Sequence, residues 1–398
     1  RDNKTLYKII LTIIVIGGLA IGGIQSSVWF QNKLTGRIEA SAPERLSNAQ
    51  ALLAADNPTQ ALEELRPIFE RIDNPEITPK ALLLHIEIAQ YQNNPDAVEK
   101  LLKQIIDEYP SAPEYPQVAI DYARIQEGKG DLDSAMSLYK TIYETAPPAL
   151  RAPATTALAR EKERNSKPLE AHALYKEAIA DAPQKSDAWY EAVGALGELN
   201  TTLLFSQTPT PDSKVYTVMP GDSLTSIGSK LNITQGQLLR ANGLDNPNTL
   251  RPNQSLKYTP KDFHIIIERS TCQIYLMDSD GIFKLYSTGL GRPEKETTLG
   301  KYKIGNKEKD PTWHKPGSTP IPPGDPGNEL GSRWLPLIPE EEALPTDLGI
   351  HGTIQPDSIG IYSSSGCPRM HNAKVEELYD LVVRSTPVRI VDVYPPQN

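Results

Sequence analysis

Two short segments near the C-terminus, Gly349-Ile-His-Gly-Thr353 and Ser363-Ser-Ser-Gly-Cys-Pro-Arg-Met370, give the strongest indication of how this 398-residue chain is built and what chemistry it performs. The first segment holds His351, and the second holds Cys367. A thiol attacks only as the thiolate. Since the pKa of a free cysteine is about 8.5, a nucleophilic cysteine needs a histidine in contact and hydrogen-bond donors for an oxyanion. Gly366 permits close backbone approach, and the amides of Gly366 and Cys367 are predicted to serve as those donors.

Four histidines in the C-terminal third compete for the role of the base. His264 opens a predicted strand, and His314 falls in a proline-rich segment. His351 and His371 remain, and the spacing of the residues does not choose between them.

Strand patterns dominate the region around these motifs. A hairpin turn is predicted at Asp280-Gly281, and one helix is predicted over residues 373–384, with Val375, Leu378 and Leu381 on one face. Residues 311–345 hold nine prolines and are predicted to form a long loop, as a lid or a substrate wall. The expected architecture is a mostly-β domain with a helix beside it. Its strands are predicted at residues 264–268, 272–277, 283–287, 298–304 and 387–393.

These motifs, together with Ser287-Thr-Gly289, Thr298-Leu-Gly-Lys-Tyr302 and Leu330-Gly-Ser-Arg-Trp-Leu335, resemble the YkuD-type L,D-transpeptidase catalytic domain over residues 262–394. The resemblance implies that Cys367 attacks a peptide carbonyl, that His351 takes its proton, and that the Gly352 carbonyl orients the imidazole. It implies that Arg369 holds a negative charge of the substrate or braces the loop. The residues expected to contact the substrate are Arg369, Ser365, Ser364, Gly366 and Trp334.

The sequence departs from the family pattern next to the nucleophile. The family most often has histidine where Ser365 stands, and an aliphatic residue where Pro368 stands. A hydroxyl donates a hydrogen bond but carries no positive charge, so stabilisation of the thiolate or binding of the donor stem is expected to differ. Neither change affects Cys367 or His351.

The resemblance implies acyl transfer on peptidoglycan, with no cofactor. Cys367 would attack the carbonyl between the third-position diamino acid and the terminal D-alanine of a tetrapeptide stem, and would form a thioester. Transfer to an amine gives a cross-link or anchors a protein, whereas transfer to water makes the enzyme an L,D-carboxypeptidase. Acylation by a carbapenem is expected in either case. A catalytically inactive peptidoglycan-binding scaffold is the alternative from a different class.

Residues 214–259 resemble a LysM module, through Tyr216-Thr-Val-Met-Pro-Gly-Asp-Ser-Leu-Thr-Ser-Ile227 and Leu250-Arg-Pro-Asn-Gln-Ser-Leu256. The expected fold is βααβ, in which a strand meets a Pro-Gly turn, Asp222 caps a helix, and a second helix ends at Asn242-Gly243. The resemblance implies binding of N-acetylglucosamine-containing glycan strands. The glycan-contacting loop is expected to comprise Gly221, Asp222, Ser223 and Leu224.

Residues 43–200 carry a helical repeat that resembles a tetratricopeptide array. Small alanines allow paired helices to approach closely, and prolines end the runs. Such an all-α solenoid commonly holds a protein partner on its concave face, and a rigid spacer without a partner is the alternative. The repeating alanines, spaced 36, 38 and 36 residues apart, are Ala61, Ala97, Ala135 and Ala171.

The N-terminal residues 1–30 are predicted to be a cytoplasmic stub and a transmembrane anchor. Residues 9–24 are apolar apart from one threonine. The stretch that a bilayer would accept extends to residue 30, about 22 residues, and spans about 33 Å as a helix. Three basic residues before it favour a cytoplasmic N-terminus, and Trp29 suits the membrane interface. A cleaved signal peptide is the alternative. Either way, the remainder is expected outside the cytoplasm, in the bacterial cell envelope.

Composition argues against other partners. The net charge is −9, and no Arg/Lys-rich aromatic stripe is present, so nucleic acid is not an expected partner. With six histidines, two cysteines and no CxxC, HxxxH or HExxH spacing, no metal site is expected. A disulfide between Cys272 and Cys367 would remove the nucleophile and is the structural alternative for the two cysteines.

Overall fold

A computed structural model of the chain describes residues 32–314, 317 and 319–394. The predicted membrane span lies outside these described residues. Among them, no helix combines the length and the apolar character that crossing a bilayer requires. The chain divides into two compact units, residues 1–157 and residues 158–398.

Helices make up the described part of the chain up to residue 204, as the repeat pattern predicts. Several begin at a proline, which suits the first helical turn because proline has no amide hydrogen and an amide hydrogen at that position would have no partner within the helix. Asn94, Asp131 and Ser186 cap helices with their side chains. Of the four repeating alanines, Ala97 is half-buried and the others are fully buried. The helices are α1 (residues 32–54 in its described part), α2 (Pro58–Arg71), α3 (Thr78–Tyr91), α4 (Pro95–Glu108), α5 (Tyr115–Lys129), α6 (Leu132–Thr145), α7 (Pro148–Arg164), α8 (Pro168–Asp181) and α9 (Asp187–Leu204).

A small βααβ module follows. Strands β1 (Lys214–Thr217) and β2 (Ser255–Tyr258) pair antiparallel, and helices α10 (Leu224–Leu231) and α11 (Gln235–Ala241) lie between them in sequence. The predicted helix cap at Asp222 is wrong: Ser223 caps α10, in a capping box with Ser226. The Asp222 carboxylate instead accepts hydrogen bonds from the amide of Met219 and the hydroxyl of Tyr216, which fixes the turn.

The C-terminal domain is built on a mixed sheet. Its strands are β3 (His264–Glu268), β4 (Gln273–Asp278), β5 (Gly281–Ser287), β7 (Gly300–Ile304), β8 (Glu308–Lys309), β9 (Arg333–Pro339), β10 (Gly349–His351) and β12 (Pro387–Val391). Within the described residues the order is β10-β9-β7-β12-β3-β4-β5, with β8 pairing to β9. Two further strands, β6 (Leu290–Gly291) and β11 (Tyr362–Ser364), form a separate parallel pair, and helix α12 (Asn372–Leu381) lies near β9 and β10.

The prediction of one long loop over residues 311–345 is wrong for part of this segment. Residues 333–339 form β9, an inner strand that pairs with β7, β8 and β10 although it contains Pro336 and Pro339. Leu335 and Leu337 alternate into the core, and burial of this face outweighs the loop character suggested by the prolines. The predicted face of α12 is buried as expected, at Val375, Leu378 and Leu381.

The last helix of the helical region, α9, packs on strand β5 of the mixed sheet. Lys284 of β5 is buried, yet its ammonium is fully partnered: it donates to Thr201 Oγ1 at 3.1 Å and pairs with Glu198 at 3.0 Å and Glu377 at 2.8 Å. Gly197 gives Lys284 its space, because a Cβ there would lie 2.9 Å from Lys284 Cγ. The repeat pattern predicted that the helical region ends at residue 200, and this prediction gives no indication that α9 packs on β5.

Candidate active site

The part of the loop just before Cys367 is held by hydroxyl contacts to its backbone. Gly366 adopts φ +123°, a conformation that favours glycine; a Cβ there would meet its nearest neighbour at 3.6 Å, so the backbone conformation and not close approach requires it. The Gly366 amide donates to Ser364 Oγ at 3.1 Å, and its carbonyl accepts from Thr297 Oγ1 at 2.7 Å. Thr297 is buried and also accepts from the Gly291 amide, so it ties this loop to β6.

His351, the last residue of β10, lies beside the chain segment that follows Cys367. Its amide donates to the Pro368 carbonyl at 3.1 Å, and its carbonyl accepts from the Met370 amide at 2.8 Å. The ring Nδ1 lies 2.6 Å from the Gly352 carbonyl, and this contact favours the tautomer that carries its proton on Nδ1 and leaves Nε2 unprotonated. The ring centroid of Trp334 lies 5.7 Å from that of His351.

Asn372, at the start of α12, connects three parts of the site. Its Oδ1 accepts from the amides of Ser332 at 3.2 Å and Thr353 at 3.1 Å, and its Nδ2 donates to the Thr353 carbonyl at 3.1 Å. The amide oxygen lies so close to Gly352 that a Cβ there would come within 2.1 Å of it. Asn372 therefore braces the turn whose carbonyl holds the histidine. Sequence reasoning missed both Asn372 and Thr297, because neither belongs to the motifs that drew attention.

Arg369 is a buried cation between the nucleophile loop and the loop before β9. It is 8% exposed, and its Nη2 pairs with Glu329 Oε2 at 3.0 Å. Its buried Nε has no hydrogen-bond partner among the described residues. The backbone of Arg369 exchanges two hydrogen bonds with Gly289, at 2.8 and 2.9 Å. The Arg369 side chain thus pairs with a carboxylate of the protein itself, whereas the resemblance predicts either a negative charge of the substrate as its partner or a bracing role in the loop.

The thiol and the imidazole are both neutral at pH 7. Burial raises the pKa of the Cys367 thiol to about 11; the Asp347 carboxylate raises it further, whereas a hydrogen bond from the Gly349 backbone and the Arg369 charge lower it. Burial lowers the pKa of His351 to about 4, and the Arg369 charge lowers it too; the backbone carbonyls of Gly352, Leu330 and Glu329 only partly offset these effects. A neutral imidazole is competent as a proton acceptor, so the pair suits proton transfer at the moment of attack.

The thiol is not yet hydrogen-bonded to its predicted base. Within the described residues, the Cys367 sulfur contacts the Asp347 carbonyl at 3.7 Å, and no hydrogen bond joins it to the His351 ring. Catalytic hydrogen bonds are often long or absent without substrate and form in the complex. Of the two predicted oxyanion donors, the Gly366 amide is occupied by Ser364, whereas the described structure gives the Cys367 amide no acceptor.

The other sequence candidates fall elsewhere. His371 is exposed and precedes α12, and Ser365 is exposed beside Cys367. Cys272 and Cys367 are both free thiols, so the alternative of a disulfide is wrong. Within the described ranges, no group of three or more His, Cys, Asp or Glu side chains is arranged to hold a metal ion.

The residues predicted to contact the glycan lie on the βααβ module, separate from Cys367 in the sequence. Gly221 adopts φ +86°, as its tight turn requires, and Ser223 begins helix α10. Leu224 is buried in the core of the module, so its side chain supports the loop from beneath.

The fold and the site define a class of enzyme: a thiol on a glycine-containing loop, beside a buried imidazole held by a backbone carbonyl, on a mixed β-sheet. Such an arrangement performs acyl transfer through a cysteine.

Comparison with known proteins is consistent with this class and makes it specific. Residues 262–390 match the family described as the L,D-transpeptidase catalytic domain, and residues 216–259 match the LysM domain. A Bacillus subtilis (strain 168) protein provisionally named as L,D-transpeptidase YqjB is 32% identical over 136 residues, which are 33% of this chain and 73% of the relative. A Bacillus licheniformis protein provisionally named as L,D-transpeptidase YkuD is 30% identical over 184 residues, 44% of this chain and 98% of the relative.

A solved structure, the Ldtfm–avibactam carbamoyl enzyme, aligns over 36% of this chain and 55% of its own, with 21% identity and a TM-score of 0.28. That similarity is too low to support an argument. The sequence matches suffice: the chain belongs to the L,D-transpeptidase family and is a peptidoglycan-modifying enzyme. The predictions of an L,D-transpeptidase and of a LysM module are confirmed.

Proposed function

We propose that Cys367 is the nucleophile and His351 the general base of transpeptidation on a tetrapeptide stem. The observation that carries this proposal is the contact of His351 Nδ1 with the Gly352 carbonyl at 2.6 Å, in a residue whose backbone pairs with the chain just after Cys367. This contact leaves Nε2 of His351 as the atom that would accept the proton. The backbone of His351 pairs with the loop that carries the nucleophile.

In the proposed first half-reaction, the Cys367 sulfur bonds to the carbonyl carbon between the third-position diamino acid and the terminal D-alanine. The thiol proton passes to His351 Nε2. The Cys367 amide donates to the oxyanion that forms, since it is the expected donor that has no other acceptor. The intermediate collapses as the C–N bond breaks, the His351 proton moves to the leaving amine, and free D-alanine and a thioester result.

In the second half-reaction, an amine attacks the thioester carbon and gives its proton to His351. The C–S bond breaks, and the proton returns to sulfur, which regenerates the neutral thiol. A stem amine as acceptor produces a cross-link, a protein amine produces an anchored protein, and water would produce a tripeptide and make the enzyme an L,D-carboxypeptidase.

The substrate-contacting residues are proposed around this centre. Trp334, Ser364 and Gly366 shape the site next to His351 and Cys367, and exposed Ser365 lies at its rim. Arg369 would receive a substrate carboxylate by exchanging it for Glu329, which it holds at 3.0 Å.

The remaining regions are proposed to bring the enzyme to its substrate. The LysM loop Gly221-Asp222-Ser223-Leu224 would bind the glycan, and the tetratricopeptide-like helices would hold a protein partner. Residues 9–30 would anchor the chain in the cytoplasmic membrane, with the catalytic domain facing the cell wall. The apolar run in the sequence supports the anchor.

The direct test is mass spectrometry of the protein and of the muropeptides after incubation with purified tetrapeptide stems. We expect a mass increase on Cys367 that equals the stem without D-alanine, followed by cross-linked products. Tripeptide as the sole product would select the carboxypeptidase, and an unmodified protein with unchanged muropeptides would select the inactive scaffold.

A further inference from the structure

A deep cleft separates the LysM module from the catalytic domain, away from Cys367. It has a volume of about 720 Å³, and both domains contribute walls. The module supplies Thr225, Gly228 and Pro247 from α10 and the segment after α11. The catalytic domain supplies the opposite wall, from β8 and the residue before it, from α12 and from the segment after α12: Lys307, Lys309, Tyr379 and Arg384.

The two walls are fixed relative to each other by contacts on Asp380 of α12. Arg240 of α11 pairs with the Asp380 carboxylate at 3.5 Å, and the Thr234 hydroxyl donates to the Asp380 carbonyl. Gly236 allows this approach, because a Cβ there would come within 2.2 Å of an Asp380 carboxylate oxygen. The cleft is therefore a built feature of the docked domains.

The catalytic wall is basic, in a chain whose net charge is −9. Lys307 and Lys309 project from the same face of an extended segment, since side chains alternate along a strand, and Glu308 projects from the other. Both ammonium groups lie by the ring of Tyr379, at 4.1 and 5.7 Å from its centroid.

The cationic side chains on this wall differ in whether they already have hydrogen-bond partners within the protein. The Lys307 ammonium donates to the carbonyls of Tyr379 and Val382 and so closes the end of α12. Lys309 and Arg384 are exposed at the cleft, and the nearby Asp380 carboxylate is engaged by Arg240. The wall thus presents positive charge to a ligand.

We propose that this cleft is a composite binding site for an anionic glycan strand, with sugars on the LysM wall and carboxylates on Lys309 and Arg384 of the catalytic wall. The proposal rests on peptidoglycan as the substrate, because its stem peptides supply carboxylates that a neutral glycan lacks. A strand held by both walls has a fixed direction relative to the catalytic domain, so LysM binding orients the stems as well as concentrating them.

The test compares two double variants of the full chain that are matched in residue type. Lys309→Ala with Arg384→Ala removes the proposed contacts, whereas Lys303→Ala with Arg389→Ala removes exposed cations on β7 and β12, outside the cleft. The probes are purified peptidoglycan, which carries carboxylates, and chitin, which is a neutral N-acetylglucosamine polymer. We expect the first pair to raise the Kd for peptidoglycan about tenfold at low salt and to leave chitin binding unchanged. The matched pair should change neither by more than about twofold.

A second variant tests the docking itself. Gly236→Leu should displace the module from Asp380 and weaken peptidoglycan binding, and its effect should not add to that of the Lys309/Arg384 pair. Gly194→Leu in α9 is the control, because no atom lies within 4 Å of a Cβ at that position. Thermal unfolding midpoints close to that of the unmodified chain establish that each variant is folded.

Unchanged peptidoglycan binding in the Lys309/Arg384 pair would overturn the proposal, and so would an equal loss on chitin. Turnover of soluble tetrapeptide stems by the unmodified chain separates the two failures. If the unmodified chain turns over stems but the Lys309/Arg384 pair binds peptidoglycan as well as the unmodified chain does, only the composite site is contradicted. If the pair weakens binding but the unmodified chain does not turn over stems, the transpeptidase mechanism is contradicted and the composite site stands.

Discussion

The contacts that stabilise the helical region internally differ in kind from those that stabilise the catalytic domain internally. In the helices, the key positions recur along the chain: Ala61, Ala97, Ala135 and Ala171 are 36, 38 and 36 residues apart, and all but the half-buried Ala97 are fully buried. In the catalytic domain, the decisive contacts join residues far apart in sequence, as when Thr297 donates to the Gly366 carbonyl. Repetition makes the helices tolerant of a local change, whereas one lost contact in the catalytic domain affects a unique site.

The largest predicted effect falls on the nucleophile. Cys367→Ala should reduce thioester formation and acylation by a carbapenem by roughly 10⁵-fold or more, since no other group replaces the attacking atom. The measurement is intact-protein mass spectrometry after incubation with donor stem or carbapenem.

Cys272→Ala is the matched control, because Cys272 is buried and free. It should retain acylation. Acylation that persists in Cys367→Ala, with the adduct on Cys272, would show that the nucleophile is misassigned.

The base should show the next largest effect. His351→Ala is expected to slow acylation by about 10²- to 10⁴-fold, as loss of a general base does. His371→Ala should change the rate by less than about threefold, because that side chain is exposed and His351 alone is held by the Gly352 carbonyl. Stopped-flow acylation kinetics of both variants decide the matter, and the reverse ranking would identify His371 as the base.

Acid should weaken the catalytic domain through the same histidine. The pKa of His351 is lowered by burial to about 4 in the folded state, so the unfolded chain binds the proton more readily. Its neutral form therefore favours folding above the unfolded pKa of about 6.5, and this contribution, roughly 3 kcal/mol, is lost as the pH falls from about 6.5 to 4.

Urea unfolding at pH 7, 5.5 and 4.5 measures this loss, with His351→Gln as the comparison. The variant should lose less stability over this range than the unmodified chain does. Parallel losses in both proteins would assign the acid sensitivity to other groups.

A substitution in the helical region should change stability without changing chemistry. Ala135 of α6 is fully buried, so Ala135→Leu should overpack the helices and cost about 1–3 kcal/mol of unfolding free energy. Ser137→Leu, on the exposed side of the same helix, is the control. Acylation of Cys367 should remain within about twofold in both, and a much slower rate in Ala135→Leu would contradict the independence of the two regions.

The smallest predicted effect concerns Asn372 as a positioning residue. Asn372→Ala removes the three hydrogen bonds that hold Ser332 and Thr353, so the Gly352 carbonyl should orient His351 less well. We expect kcat to fall about tenfold with little change in KM, because the ground-state contacts of the substrate are untouched.

Asn372→Asp keeps the acceptor oxygen and adds a negative charge near the imidazole. It should restore part of kcat and move the acidic limb of the pH–rate profile upward, because a nearby carboxylate raises the pKa of a histidine. A purely structural role would instead lower stability in both variants and leave the shape of the profile unchanged.

Much of the architecture could be predicted from the sequence alone. The repeating alanines and prolines predicted helices, the Pro-Gly turn and the Asn-Gly helix end predicted the βααβ module, and alternating apolar residues predicted most strands. The motifs around His351 and Cys367 predicted the L,D-transpeptidase family, which the comparisons confirm. These signals are local: each depends on residues a few positions apart, and their periods follow from the geometry of a helix or a strand.

Only the tertiary structure decided the contacts that join distant segments. It made residues 333–339 a strand, because burial of Leu335 and Leu337 overrides their prolines, and it placed α9 against β5 around the buried ammonium of Lys284. It also made the environment of the thiol, since burial raises the pKa of Cys367 and no motif encodes how deeply a side chain is buried. Desolvation and long-range hydrogen bonds depend on the whole packed domain, and for that reason a linear pattern identifies the reactive residues without fixing their ionisation or their partners.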